Sequence, residues 1–146
     1  MNQNEMNLNK KPHLPPGKYG VILFDLTNRF IDHLYHTTIS DICEEDSVLL
    51  VWVKPYQVDK GLELSKHWGF RYCTCLVWNR DKENEVSDFG EILLVSVKGC
   101  PPLIFDFYEG SKDKPSLVKE VIKIGYPGWS KVEIFVDKMI VGWELW

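Results

Sequence analysis

The sequence predicts one α/β domain, built on a mixed, mostly parallel sheet with helices on both faces. Three observations lead to this fold class. Short, continuously apolar runs, typical of strands buried on both faces, recur along the chain. Segments with helical spacing lie between some of them, bounded by Pro and Gly. The length of 146 residues allows one domain, and the hydrophobic fraction of 45% is enough for a packed core.

The predicted elements follow in order from these patterns. The first strand is the apolar run at 19–25, which ends in a carboxylate, and the second is the run at 48–53. Pro55 near its start and Gly69 after its end predict a helix over 56–67. The remaining predictions are strands at 70–78 and 91–97, a second helix from Pro115 to Gly125, and two closing strands at 131–135 and 139–146 that form a hairpin.

The polar N-terminal residues 1–18 are rich in Asn and Lys and end in a Pro-Pro-Gly turn. This composition predicts a flexible arm ahead of a domain at 19–146, with a docking peptide as the alternative interpretation. The net charge of −4 argues against a protein that binds nucleic acid alone, because phosphate contacts need a basic surface. Nucleic acid is therefore expected only within a complex.

No apolar run approaches the ~20 residues of a membrane span, and no signal peptide follows Met1. We therefore expect a soluble, intracellular protein without a membrane partner. It would be nuclear in a eukaryote and cytoplasmic otherwise.

Several side chains could suggest a metal site, but their spacing does not favour one. Cys73 and Cys75 alternate within a predicted strand, which would place both on one face as buried free thiols. His33 and His36 lie three residues apart, with Asp32 and Asp41 nearby, which could indicate a metal site or an acid–base pair, but in a polar loop a chance arrangement is the favoured interpretation. No metal is expected. The acidic run at 41–46 is either a solvated surface or a contact for a basic partner.

The six tryptophans divide into two groups. Trp52 and Trp78 lie in predicted buried strands and are expected in the core. Trp143 and Trp146 are harder to enclose in so small a domain, so an interaction surface and core packing are both open for them.

A series of short motifs, each weak alone, occurs in a specific order. They are Tyr35-x-Thr-Thr-Ile-Ser, Leu49-Leu-Val-Trp-Val, Leu62-Glu-Leu, Trp68-Gly-Phe-Arg-Tyr, Leu76-Val-Trp, Glu91-Ile-Leu-Leu-Val-Ser-Val-Lys-Gly, Ser111-Lys-Asp-Lys-Pro, Val132-Glu-Ile-Phe and Gly142-Trp-Glu-Leu-Trp. Together they resemble the MT-A-seventy family of adenine N6-methyltransferases over residues 19–146. The resemblance implies a Rossmann-like methyltransferase fold that binds S-adenosylmethionine at the carboxyl ends of its strands.

The family's catalytic motif, Asp-Pro-Pro-Trp, corresponds here to Asp25, Leu26, Thr27 and Asn28. The adenine amine is a poor nucleophile, and the resemblance implies that the Asp and a Pro carbonyl orient it while the Trp stacks on the base. Only the aspartate is retained. Both prolines, which would make the turn rigid, and the stacking ring are replaced. The sequence therefore predicts that no catalytic motif is intact.

The resemblance also assigns weak cofactor positions to Asp25, Lys114 and Phe135, although a solvated lysine beside a helix N-terminus is the favoured interpretation of Lys114. No cofactor is expected. The resulting interpretation is a non-catalytic, methyltransferase-like subunit, or pseudoenzyme. It would form a heterodimer with a catalytically active adenine N6-methyltransferase paralogue and act as a nucleic-acid-binding scaffold. The alternative is a divergent but active S-adenosylmethionine-dependent methyltransferase.

Overall fold

The computed structural model describes residues 17–26, 38–78, 91–103, 122–135 and 140–142. Its strands form one sheet in the order β3-β4-β2-β1-β5-β6. The strand bounds are β1 Tyr19–Asp25, β2 Cys43–Val53, β3 Arg71–Trp78, β4 Glu91–Lys98, β5 Lys131–Phe135 and β6 Ile140–Gly142. Helix α1 spans Val58–His67, and 3₁₀ turns occur at Ile39–Ile42 and Pro55–Gln57. Residues 122–125 form a further helical turn.

The centre of the sheet is parallel and its flanks are antiparallel. β1 pairs in parallel with β2 on one side and with β5 on the other. The pairs β2–β4, β3–β4 and β5–β6 are antiparallel. The sheet is therefore mixed, as predicted. The expectation that it is mostly parallel is wrong, because among the described strands two pairs are parallel and three are antiparallel. The reason is that β3 with β4, and β5 with β6, are consecutive strands that pair directly, so the chain reverses between them.

Helix α1 lies close to the prediction of 56–67. The Lys54 N–H donates to Oε1 of the buried Gln57, at 3.0 Å, and Pro55 begins the preceding 3₁₀ turn. The helix ends where Gly69 takes a positive φ of 88°, the conformation that favours glycine. The side chain of Leu64 is fully buried against the sheet.

Both faces of the sheet carry a buried apolar cluster. The first contains α1 and the odd-numbered positions of β2: Ile22, Phe24, Leu26, Ile39, Ile42, Cys43, Leu49, Val51, Val53, Leu64, Trp68, Phe70, Leu94, Val132 and Ile134. The second covers the other face: Val21, Leu23, Val48, Leu50, Trp52, Leu93, Val95, Val97, Ile122 and Tyr126. The alternation follows the two-residue period of strands, so β1 and β2 are buried on both sides. The core position predicted for Trp52 is confirmed.

The second predicted helix, 115–125, is described only in its last turn, where Ile122 joins the second cluster. A full helix on that face stays a prediction. The N-terminal arm lies outside the described residues, apart from Gly17 and Lys18. Within the described ranges, no helix is long and apolar enough to cross a membrane.

Two details of the strands differ from the prediction. β2 begins at Cys43, five residues before the predicted start. The apolar pattern did not predict these first residues, because Glu44, Glu45 and Asp46 are polar and exposed although they lie in the strand. In β3, a register shift between Tyr72 and Thr74 interrupts the alternation at Cys73.

The prediction that the two β3 thiols share a face is therefore wrong. Cys73 packs against the second cluster and Cys75 against the first. A bulge adds one residue to a strand and so moves the following side chains to the opposite face. Both thiols are free, as predicted, but they are half-buried and not buried.

Candidate functional site

Asp25 is the last residue of β1, at the centre of the parallel part of the sheet. It is half-buried and pairs in register with Trp52 of β2 and with Phe135 of β5. The chain continues from β1 to β2 on one side, while β5 lies on the other side, so the strand order switches direction beside Asp25. Ligands of open α/β sheets bind at such a switch point, outside the carboxyl ends of the strands. This carboxyl edge is the candidate functional site.

Leu26 continues the sheet where the resemblance would place a proline. Its N–H donates to the Trp52 carbonyl at 3.0 Å, which adds one more bond to the β1–β2 ladder. Its side chain is 2% exposed and belongs to the first apolar cluster. A proline has no N–H to donate, so this backbone bond could not form with the family residue. Leu26 therefore extends the hydrogen bonding between β1 and β2, and its side chain is part of the core.

Two residues near Asp25 at the carboxyl edge were not predicted from the sequence to be part of the site. Trp52 was assigned to the core alone, yet it is the register neighbour of Asp25 and lies on the same face of the sheet. Glu133 pairs with Leu23 and is half-buried, which places it on the face that Asp25 occupies, one strand away. The available signal was a carboxylate inside the apolar run of β5. Asp25 and Glu133 could accept hydrogen bonds from hydroxyl or ammonium groups of a ligand.

The other predicted site residues are only partly placed. The backbone of Phe135 ends β5 beside Asp25, so these two predicted cofactor positions come together. Thr27, Asn28 and Lys114 lie outside the described residues. So do His33 and His36. In the described ranges, no three His, Cys, Asp or Glu side chains are placed to hold a metal ion.

A hydrogen bond from Tyr126 to Pro102 joins the described residues that precede and follow the segment containing Lys114. The Tyr126 hydroxyl donates to the Pro102 carbonyl, across the gap between residues 103 and 122. The side chain is fully buried, and burial, with a smaller contribution from Cys73, raises the pKa of Tyr126 to about 12. The hydroxyl therefore remains a neutral donor through the physiological range.

Lys131 anchors the turn that leads into β5. Its ammonium donates to the carbonyls of Tyr126 at 2.8 Å and Trp129 at 2.7 Å. Burial lowers the pKa of Lys131, and the charge of Lys123 lowers it further. The ammonium is turned to backbone carbonyls, so its role is to fix this turn at the amino edge, away from Asp25.

The chain is similar in sequence to the type II methyltransferase M.MunI from Mycoplasma sp, with 26% identity over 130 residues. The match covers 80% of this chain and 56% of the relative, so the chain spans just over half of the relative's length. No model of a known protein family matches the chain. The sequence is methyltransferase-like. The similarity supports a methyltransferase relationship and leaves the adenine N6 family, to which the motifs point, as a prediction.

Proposed function

We propose that this chain is a non-catalytic methyltransferase-like subunit that pairs with an active adenine N6-methyltransferase and extends its nucleic-acid-binding surface. The similarity to M.MunI, a type II methyltransferase, supports the methyltransferase part of this proposal. The residue after Asp25 supports the loss of catalysis.

Leu26 is the observation that carries the proposal. The family motif has a proline after the aspartate, and a proline cannot donate an N–H to the neighbouring strand, so its turn is not bonded to the sheet at this position. Here the Leu26 N–H is bonded to Trp52 and the side chain is buried in the core. The second position of the motif is thus part of the folded core, while Asp25, its first position, is retained at the switch point.

The partner follows from charge. The chain carries 17 Lys and Arg against 21 Asp and Glu, and a net charge of −4 opposes association with phosphates. A subunit that contributes to a nucleic-acid surface therefore needs a basic partner beside it. The heterodimer supplies both the active site and the positive charge.

The test is co-expression with a catalytically active methyltransferase paralogue from the same cell. We expect the two chains to co-purify in a one-to-one complex and the paralogue to lose activity or stability when this chain is omitted. A paralogue that is fully active and stable alone would contradict the proposal.

A divergent active enzyme is the competing proposal, and Asp25 at the switch point is the observation in its favour. Calorimetric titration with S-adenosylmethionine separates the two proposals. A non-catalytic subunit gives no saturable heat. Tight binding that Asp25→Ala abolishes would instead support the enzyme.

A further inference from the structure

An exposed aromatic ring and three cationic side chains lie together at the amino edge of the sheet, where α1 ends and β3 begins. They are Lys66, Arg71, Tyr72 and Lys98, and we call them the Tyr72 surface. This edge lies opposite the carboxyl edge that contains Asp25. The Tyr72 surface is therefore separate from the candidate functional site.

The turn after α1 brings Lys66 and Lys98 close to each other. The Gly69 N–H donates to the Lys66 carbonyl at 3.0 Å. The Nζ atom of Lys98 lies 3.9 Å from the point that a Cβ of residue 69 would occupy. It also lies over the Phe70 ring, 5.9 Å from its centre. The Lys98 ammonium is thus held at the end of the helix by contact with an aromatic ring.

Arg71 adds a further fixed cation beside Lys98. It is in register with Val97, the residue before Lys98, and its Nη2 atom donates to the Gly99 carbonyl at 2.6 Å. A guanidinium has five N–H donors, so most of its donors are left for a ligand. Within the described ranges the one ion pair joins two other residues of α1, so none of the three cations is paired with a carboxylate.

Tyr72 presents its ring to solvent in a fixed orientation. The side chain is 50% exposed. The bulge at Cys73 places Tyr72 and Cys75 on the same face, and a hydrogen bond between their side chains raises the pKa of Tyr72. Ser96, the register neighbour of Tyr72, faces the same side, and its buried hydroxyl has no hydrogen-bond partner in the part of the chain that the structure describes. An exposed ring thus lies over a polar group whose hydrogen bonds the fold does not use.

We propose that the Tyr72 surface binds single-stranded nucleic acid, with one base stacked on the Tyr72 ring and the adjoining phosphates on the three cations. A rigid aromatic face between cations is the combination that binds single strands, because every base has a π-face and the cations follow the backbone. The bases of a duplex are stacked on one another, so the ring selects an unpaired strand. This inference rests on the proposed function, because it names the part of this chain that extends the nucleic-acid-binding surface of the complex.

The charge of the chain sets the strength of this contact. Asp46 lies beside Gly99, and a net charge of −4 repels phosphate, so the isolated chain binds weakly and the basic partner strengthens the contact. Three phosphate contacts with a single strand predict that log K falls with log salt at a slope of about −2.

The test is the fluorescence anisotropy of a short fluorescein-labelled oligodeoxythymidine, titrated at low salt with the full chain and, separately, with its complex with the paralogue. Tyr72→Leu removes the ring and should weaken binding by about 5- to 100-fold, whereas Tyr72→Phe keeps the ring and should restore the affinity. Arg71→Gln with Lys98→Gln should bring the salt slope to about −0.7.

Lys60→Gln is the matched control, because it removes an exposed lysine on α1 that pairs with Glu63. It should leave the affinity within twofold of the wild type. Equal affinities for Tyr72→Leu and the wild type would overturn the inference, as would the absence of binding by both samples or equal affinity for a duplex. A complex that assembles but is insensitive to Tyr72→Leu contradicts this inference alone. A chain that binds through Tyr72 without any co-purifying paralogue contradicts the proposed function alone.

Discussion

Residue 26 stabilises the junction of β1 and β2 in two ways. The Leu26 N–H donates to the Trp52 carbonyl, and the side chain is almost completely buried in the first cluster. The aspartate before it was predictable from sequence as the end of a strand. The neighbourhood of Asp25 was not, because Trp52 and Glu133 reach it through strand register, which only the assembled sheet defines.

Substitution of Leu26 separates these two contributions. Leu26→Ala keeps the N–H and should lower the free energy of unfolding by about 2–5 kcal/mol, the usual cost of emptying a buried leucine site. Leu26→Pro also removes the bond to Trp52 and should cost at least about 1 kcal/mol more. Urea unfolding measures both. Equal losses for the two variants would show that the backbone bond contributes nothing, and would remove the main support for a non-catalytic turn.

At the scale of elements, the strands and helix α1 were largely predictable. β1 and β5 have the predicted bounds, because apolar runs closed by polar residues mark buried strands clearly. The start of β2 and the bulge in β3 were not predictable. Glu44, Glu45 and Asp46 extend β2 with exposed side chains, and the bulge depends on pairing with β4. Sequence periodicity does not report pairing between strands.

Gly61 sets how closely α1 approaches the sheet. A Cβ at this position would lie 2.7 Å from Cδ1 of Leu94 and 2.8 Å from Cγ1 of Val53. Alanine would favour the helix by about 1 kcal/mol, but forcing these buried atoms apart typically costs about 1–3 kcal/mol. We therefore expect Gly61→Ala to lower the free energy of unfolding by about 1 kcal/mol, measured in urea.

The control for this prediction is Lys66→Ala on the exposed side of α1, which should change stability by no more than about 0.5 kcal/mol. If Gly61→Ala instead stabilises the protein, α1 can move away from the sheet at no cost, and the close contact is not part of the fold's stability.

At the scale of the whole molecule, buried thiol and phenol groups make stability depend on alkaline pH. Burial raises the pKa of Cys43 from 9.0 to about 11 and that of Tyr126 from 10.0 to about 12. The folded state then holds protons that the unfolded state releases, so stability falls as pH rises from 9 to 12. The lowered pKa of Lys131 acts in the opposite direction.

Tyr126→Phe isolates the phenol's part of this dependence. The fall in the free energy of unfolding between pH 10 and 12 should become shallower, while at neutral pH the lost bond to Pro102 costs about 0.5–1.5 kcal/mol. Tyr56→Phe, at a side chain that is 59% exposed, is the control and should keep the wild-type slope. An unchanged slope in Tyr126→Phe would mean that Tyr126 ionises in the folded protein as it does in the unfolded chain.

The α/β class and the mixed sheet were predictable from the whole sequence, and the similarity to M.MunI supports the methyltransferase relationship. The antiparallel hairpin of β5 and β6 was also predicted and is confirmed. The antiparallel pairing of β4 with β2 and β3 was not, because apolar runs do not encode strand direction. The function proposed here depends on Asp25 having lost its chemistry. That loss can be measured in the assembled pair.

The most direct test is the transfer of a labelled methyl group from S-adenosylmethionine to nucleic acid by the purified complex of this chain with its active paralogue. Asp25→Ala in this chain is predicted to leave both co-purification and the transfer rate unchanged, because the partner supplies the catalytic groups. A complex that still assembles but loses about a hundredfold in rate would contradict the account, since a loss of that size is expected for a group that orients the reacting amine.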